Sequence, residues 1–245
     1  MHKYGLIGKN ISYSFSKHFF EEKFNNEGIT NASYENFDIN NIEKFPDIIN
    51  NNSEIKGLNV TIPYKESIIP YLDSLSKNAK KIGAVNTIKI SKKGKLKGYN
   101  TDWYGFKKSI SKHLKPKHKR ALILGTGGAS KAIAFTLKKL NIDYQFVSRK
   151  PSKRGQLTYK ALTENIISTH QIIINCTPLG TFPDVEAYPP IPYAALTKDH
   201  ILFDLIYNPT QTRFLELGVT HNAKTLNGSK MLKHQALKAW DIWNR

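Results

Sequence analysis

The chain has 245 residues, and 37 Lys and Arg against 19 Asp and Glu leave a formal charge of +18. That length accommodates one to two domains, and 40% hydrophobic with 11% aromatic residues is enough apolar content for a packed core, which excludes a disordered basic tail. The single cysteine, Cys176, excludes an internal disulfide and a cysteine-based zinc site, and no histidines have HExxH spacing, so no metal is expected.

In chain order, short β-branched runs alternate with helical patterns, which predicts an α/β protein. Residues 4–7 read as a strand and 17–26 as a helix, with Phe19, Phe20 and Phe24 on one face. A strand at 33–37, a helix around 42–49 and a strand at 55–60 follow. Strands at 87–90 and 96–99 flank Lys92-Lys93-Gly94-Lys95, which has a glycine where a hairpin needs positive φ. Thr101 and Asp102 can cap a helix from Trp103 to about His113, which Pro116 stops. Beyond the basic linker 115–120, ALILG is a continuous apolar strand of the kind buried on both faces of a parallel sheet. Strands at 144–147, 172–175 and 201–205 repeat that character, with helices at 131–140, about 160–169 and 211–217 as right-handed crossovers. Residues 177–192 read as a long irregular loop, and Gly228 opens a terminal helix running to about Trp243. Two α/β domains are expected, with a boundary near 100–103.

The opening MHKYGLIGKN is too short an apolar stretch for a signal peptide, and no uncharged run is long enough to span a bilayer. A reduced, cytoplasmic setting without a membrane partner is the expectation. The charge admits nucleic acid or small anions such as phosphates and carboxylates as partners, and composition does not choose between them.

The strand ALIL leads directly into Gly125-Thr126-Gly127-Gly128-Ala129-Ser130 and then a helix. Binding a pyrophosphate requires that order: glycines let the backbone turn and approach the phosphates, and the helix N-terminus presents free N–H groups. Ser130 stands where GxGxxG would have its third glycine. About twenty residues on, an NAD site carries a carboxylate for the ribose 2′-hydroxyl. Here the chain reads Ser148-Arg149-Lys150, with Lys153 and Arg154 close behind. A guanidinium fork suits a 2′-phosphate, which favours NADP over NAD.

Three clusters in the first hundred residues carry further polar chemistry. In Ser12-Tyr13-Ser14-Phe15-Ser16, hydroxyls two residues apart beside a helix start can hold a carboxylate. The second is Asn59-Val60-Thr61-Ile62-Pro63-Tyr64-Lys65 at a strand end, and the third joins Ala84-Val85-Asn86-Thr87 to Asn100-Thr101-Asp102.

In order, the motifs YSFS, NVTIPYK, GAVNT, NTD, GTGGAS, NCTPLG, FDLIYNP and NGSKMLKHQA resemble the shikimate dehydrogenase family over essentially the whole chain. The resemblance implies an N-terminal α/β substrate domain plus a Rossmann-like, doubly wound NADP-binding domain, with a cleft between them. The terminal helix would return to the first domain, giving residues 1–101 with 229–245 and residues 102–228. The implied activity is reversible NADPH-dependent reduction of 3-dehydroshikimate to shikimate in aromatic amino acid (chorismate) biosynthesis. Ser14 and Ser16, helped by Tyr207, would bind the substrate carboxylate. Thr61, Asn86, Asn100 and Gln235 would contact ring hydroxyls or hold the polar network, with Lys65 and Asp102 as the catalytic pair. Gly125, Gly127, Gly128 and Ala129 would hold the pyrophosphate, and Ser148, Arg149 and Lys150 the adenosine phosphate. Thr177 and residues 178–180 would lie on the nicotinamide side, with Gly228 and Met231 at the nicotinamide itself. The chain departs from the family pattern at Lys17, where a proline is usual, and at Ser148, where relatives often have Asn.

A broader quinate/shikimate dehydrogenase would use the same residues, and the basic adenosine segment speaks against it. A nucleic-acid-binding protein is suggested by charge alone, and no RRM, KH or helix-turn-helix signature supports it. A redox-inactive sensor would lack the lysine or the aspartate. Small-molecule ligands and a monomer or homodimer are therefore expected.

Overall fold

The computed structural model describes residues 1–12, 14–151 and 155–245. They form two compact units, Met1–Thr101 with Ala236–Arg245, and Asp102–Gln235.

The first unit contains β1 (His2–Gly8), α1 (Phe15–Asn26), β2 (Ala32–Asp38), α2 (Phe45–Asn51), β3 (Ile55–Val60), β4 (Ser74–Leu75), α3 (Lys77–Ile82), β5 (Thr87–Ile90) and β6 (Leu96–Tyr99). Its sheet runs β2-β1-β3-β5-β6-β4. β1 is parallel to both its neighbours, whereas β5 is antiparallel to β3 and β6. The expected helix at 42–49 divides into a 3-10 turn, Ile42–Lys44, and α2, because Pro46 lacks an N–H and its ring favours the first turn of a new helix. β4 and α3 were not anticipated, being too short to show a period. α3 is set by its ends: Ser76 Oγ accepts from the Ala79 N–H at 3.3 Å, and Gly83 closes it at φ +71°.

The second unit contains α4 (Asp102–Ile110), β7 (Arg120–Leu124), α5 (Gly128–Lys139), β8 (Asp143–Val147), α6 (Glu164–Thr169), β9 (Ile172–Asn175), β10 (Ile201–Asp204), α7 (Arg213–Thr220), β11 (Lys224–Leu226) and α8 (Ser229–Trp243), the last running on into the first unit. Its sheet is parallel throughout, in the order β11-β10-β9-β7-β8. β9 and β10 are buried along their whole length, which is why they read as unbroken apolar runs, whereas the short edge strand β11 has no such signature. Among the described residues no helix is long and apolar enough to cross a membrane.

The last residues of α8 enter the first unit's core. Ala236, Ala239 and Trp243 pack with Tyr4, Leu6, Phe20, Phe24 and Tyr34. Trp243 stacks on Tyr4 with ring centroids 5.0 Å apart, and its Nε1–H donates to the Ile88 carbonyl at 2.9 Å. Gly57 makes room for it, since a Cβ there would lie 2.2 Å from the indole. Gly57→Ala is therefore expected to destabilise the chain by about 1–3 kcal/mol through overpacking. Urea unfolding followed by tryptophan fluorescence checks this, and an unchanged midpoint would reject the contact.

Candidate active site

In the first unit, strand register brings the candidate residues to one edge of the sheet. Ile7 lies opposite Val60, Asn59 opposite Thr87, and Thr87 opposite Tyr99. Thr61 leaving β3, Asn86 entering β5 and Asn100 leaving β6 therefore emerge at the same level, and the chain beyond β1 leads to Ser14 and Ser16. Backbone bonds tie these segments: Thr61 N donates to Ile7 O at 2.9 Å, Asn86 N to Tyr99 O at 3.1 Å, and Val85 N to Lys65 O at 2.7 Å.

Beneath this edge runs a buried polar network. The Tyr34 hydroxyl donates to Asn59 Oδ1 at 2.8 Å, and Asn59 Nδ2 to the Asn86 carbonyl at 3.2 Å. Asn86 Nδ2 donates to Thr101 Oγ1 at 3.0 Å, while its Oδ1 accepts from the Thr101 N–H at 2.7 Å. Asn100 Nδ2 donates to the Ala84 carbonyl at 3.0 Å. Unpaired, each of these buried groups would cost stability, so the network holds the strand ends in one arrangement. Ser14 caps α1, its Oγ accepting from the Ser16 N–H at 3.1 Å. Ser16 is buried and bonds Tyr34, whose hydroxyl burial pushes well above its ordinary value, keeping it neutral and a donor. Thr61 and Lys65 are half-buried.

In the second unit, Leu124 aligns with Val147 and Asn175, and Asn175 with Asp204, so four parallel strands end together. β7 connects to β8 on one side and has β9 on the other, which makes the β7–β9 boundary a topological switch point, the usual ligand crevice of an open α/β sheet. Two loops meet there. Gly125 turns at φ +101°, its N–H donating to Val147 O at 2.8 Å, and a Cβ would stand 3.1 Å from Thr177 Cγ2. Among the described residues Gly127 heads α5 without a side-chain cap, and none lies within 4 Å of where its Cβ would be. Space over Gly127 and an uncapped helix start through Gly128 and Ala129 fit a pyrophosphate. Ser130 explains the imperfect glycine motif: it is buried, and its Oγ donates back to the Gly127 carbonyl at 2.6 Å, bracing the turn.

On the facing loop, Asn175 Oδ1 accepts from Thr177 Oγ1 at 2.6 Å and from the Thr177 N–H at 3.0 Å. Asn175 Nδ2 in turn donates to Asp204 Oδ1 at 3.1 Å, and Asp204 also accepts from the Ile206 N–H at 3.0 Å and from Thr212 Oγ1 at 2.6 Å. Burial pushes the Asp204 carboxyl up to about 6 despite those bonds. At the end of β8, Ser148 Oγ accepts from the Lys150 N–H at 3.3 Å in a tight turn that leaves Arg149 and Lys150 exposed. Lys153 and Arg154 lie outside the described residues. Gly228 is required by close approach: its N–H donates to Ile206 O at 2.9 Å, and a Cβ would fall 2.1 Å from the Leu205 carbonyl oxygen.

The other candidates in this unit lie on helices or in the loop after β10. Met231 packs in the core with Phe106, Ile123 and Phe203. Asp102 begins α4 and is buried, Gln235 is buried on α8, and Tyr207, just past β10, is half-buried.

Several supporting residues carried no role in the sequence reading. Asn175 and Asp204 were signalled by polar side chains closing otherwise apolar strands. Tyr34 lies on a strand, and only the tertiary pairing reveals it, whereas Asn59 stood in the cluster 59–65 without a role of its own. Tyr159 had no signal: among the described residues its buried hydroxyl has no hydrogen-bond partner, and burial pushes it up to about 12 against the opposing charge of Arg149.

A parallel, doubly wound sheet with an open glycine turn at its switch point defines a Rossmann-like dinucleotide-binding unit, joined in one chain to an α/β unit with a polar sheet edge. Residues 6–88 match the family described as the shikimate dehydrogenase substrate binding domain. A shikimate dehydrogenase (NADP(+)) of Methanosphaera stadtmanae is 38% identical over 258 residues, covering 98% of this chain and 90% of that one. The crystal structure of shikimate dehydrogenase 1 from Peptoclostridium difficile superposes with a TM-score of 0.87 at 38% identity, covering 100% of this chain and 92% of that one. A Thermus thermophilus shikimate 5-dehydrogenase in complex with NADP(H) and shikimate gives 0.87 at 29% identity, with 99% and 93% covered. This chain belongs to the shikimate dehydrogenase family.

The Asp204 carboxyl supplies a pH test. Its folded value of about 6 exceeds its ordinary 3.8, so between the two the folded state holds more protons than the unfolded one. Its contribution to stability therefore falls as pH rises from about 4 to about 6 and is constant above that, a change on the order of 3 kcal/mol. Asp204→Asn is expected to remove this fall from urea midpoints measured across that range. Parallel pH profiles for variant and parent would contradict it.

Proposed function

We propose that this chain catalyses the reversible reduction of 3-dehydroshikimate to shikimate with NADPH, a step of aromatic amino acid biosynthesis. The observation carrying the reading is the alignment of the strand-borne candidate residues: in each unit they emerge at a single edge of the sheet, substrate-type hydroxyls and amides in one and the glycine turn with its basic neighbour in the other. Membership of a family whose relatives are NADP(+) enzymes supports it.

Reducing a ring ketone needs a hydride donor, a group that meets the developing alkoxide, and a rigid hold on the ring. Bound NADPH supplies the hydride, which no side chain can donate. Gly125, Gly127, Gly128 and Ala129 hold its pyrophosphate, and Ser148, Arg149 and Lys150 its 2′-phosphate. Thr177, Gly228 and Met231 take the nicotinamide end. Ser14 and Ser16, with Tyr207, hold the substrate carboxylate, while Thr61, Asn86, Asn100 and Gln235 engage the ring hydroxyls or keep their neighbours in place. The Lys65 ammonium stabilises negative charge on the carbonyl oxygen as it forms and gives that oxygen a proton. Asp102 orients the amine and accepts a hydrogen bond from a substrate hydroxyl. In this reading the ligands are small anions, no nucleic acid takes part, and the chain acts as a monomer or homodimer in the cytoplasm.

Purified protein mixed with shikimate and NADP+ is expected to show rising reduced-nicotinamide absorbance, with much slower turnover on NAD+. No signal with either cofactor would reject the activity. Lys65→Ala is expected to lower kcat by roughly 10²- to 10⁴-fold while NADPH binding, read by fluorescence, is unchanged. Near-normal turnover would remove Lys65 from the mechanism.

A further inference from the structure

The amino ends of the second unit's strands, at the opposite edge of the sheet from Gly125 and Thr177, surround a pocket of about 430 Å³. Lys112, Lys115, Lys117, Lys198 and Lys224 line it together with His113, and its described lining includes no carboxylate. Asp199 pairs with Lys117 beside it. The proposed reaction uses none of these groups.

The lysines stand on turns that the fold holds in place. His118 Nδ1 accepts from the Lys115 N–H at 2.8 Å, and its Nε2 lies 3.1 Å from the Asp199 carbonyl oxygen. His200 Nδ1 accepts from the Thr197 N–H at 3.0 Å, and its Nε2 lies 3.0 Å from the Ile167 carbonyl oxygen. With one nitrogen accepting and the other facing a carbonyl, each ring is spent on structure. The two histidines fix the turns carrying Lys115, Lys117 and Lys198 at the starts of β7 and β10. Lys224 N donates to His200 O at 2.9 Å, which seats the start of β11 beside them. The collected charge is felt locally: burial first, then Lys224 and Lys112, push His113 below its ordinary value.

We propose that this pocket is a second anion site, built for a small, multiply charged phosphate compound. Its volume falls in the range of small-molecule sites, about 300–1,000 Å³. Cations from separate chain segments converge on it, which suits an anion carrying several charges rather than a single carboxylate. No Phe, Tyr or Trp is among its described lining residues, and the rings of His118 and His200 are tied into turns, so it lacks the large stacking platforms that single-stranded nucleic acid uses. Anion binding would also relieve repulsion among the lysines, giving a purpose to part of the +18 charge.

The test is calorimetric titration of tripolyphosphate into the full chain at low salt, with NADP+ present in excess so that the glycine turn is filled. Saturable one-to-one binding is expected, weakening as salt rises. The combined variant Lys115→Gln, Lys198→Gln and Lys224→Gln is expected to bind about tenfold or more weakly, with NADPH binding and thermal stability retained. Unchanged affinity in the variant, or no saturable binding to the parent, would overturn the proposal. So would a single-stranded RNA that binds more tightly than tripolyphosphate and depends equally on the three lysines, since that would mark a nucleic-acid face.

Discussion

Because β7 and β9 are neighbours while β8 lies beyond β7, the chain leaves the carboxyl ends of β7 and β9 toward opposite sides, and no crossover covers the gap between them. That topological gap is what the glycine turn and Thr177 share. It lets the Gly125 turn and the Thr177 loop face each other, and it leaves the start of α5 open over Gly127. The rest of the second unit keeps the gap in shape. Ser130 braces one wall, and the hydrogen-bonded chain from Thr177 through Asn175 to Asp204 and Thr212 braces the other. A carboxylate is retained in that buried chain although burial opposes its charge, because it accepts from three donors at once where a neutral amide oxygen could not serve them all.

The first unit solves a related problem with a mixed sheet. Its strand ends are brought level by register and then locked by amides, with Asn59 and Asn86 each bridging two segments. The terminal helix adds the aromatic packing behind them: Trp243 fills the hollow above Gly57 and bonds β5 through the Ile88 carbonyl. Packing of that kind leaves little freedom for rearrangement, which suits a surface that must present several hydroxyls and amides in fixed positions.

Most of the architecture could be read from the chain because its signals are local. Apolar strands between helical patterns, the hairpin glycine Gly94 and the glycine turn after ALIL each announce themselves within a few residues. Elements whose stability is tertiary could not be read this way: β4, α3 and β11 are too short for periodicity, and Pro46 divided a helix that hydrophobic spacing alone would have kept whole. The same division runs through the candidate site. Motif residues such as Gly127, Thr61 and Lys65 stood out, whereas the support Tyr34 gained its meaning only from the strands packed against it. The lysines at 112, 115, 117, 198 and 224 were visible only as surplus charge until the fold gathered them at one end of a sheet.

The central claim is that the open space over Gly127 receives the cofactor's pyrophosphate, and Gly127→Ala tests it most directly. The backbone there, at φ −75°, suits any residue, and the added methyl meets none of the described residues within 4 Å, so the variant should fold as the parent does apart from about 1 kcal/mol at the helix cap. NADPH binding followed by fluorescence should weaken about tenfold or more, because the methyl occupies the space the phosphates need. A folded variant that binds NADPH as tightly as the parent would contradict the account.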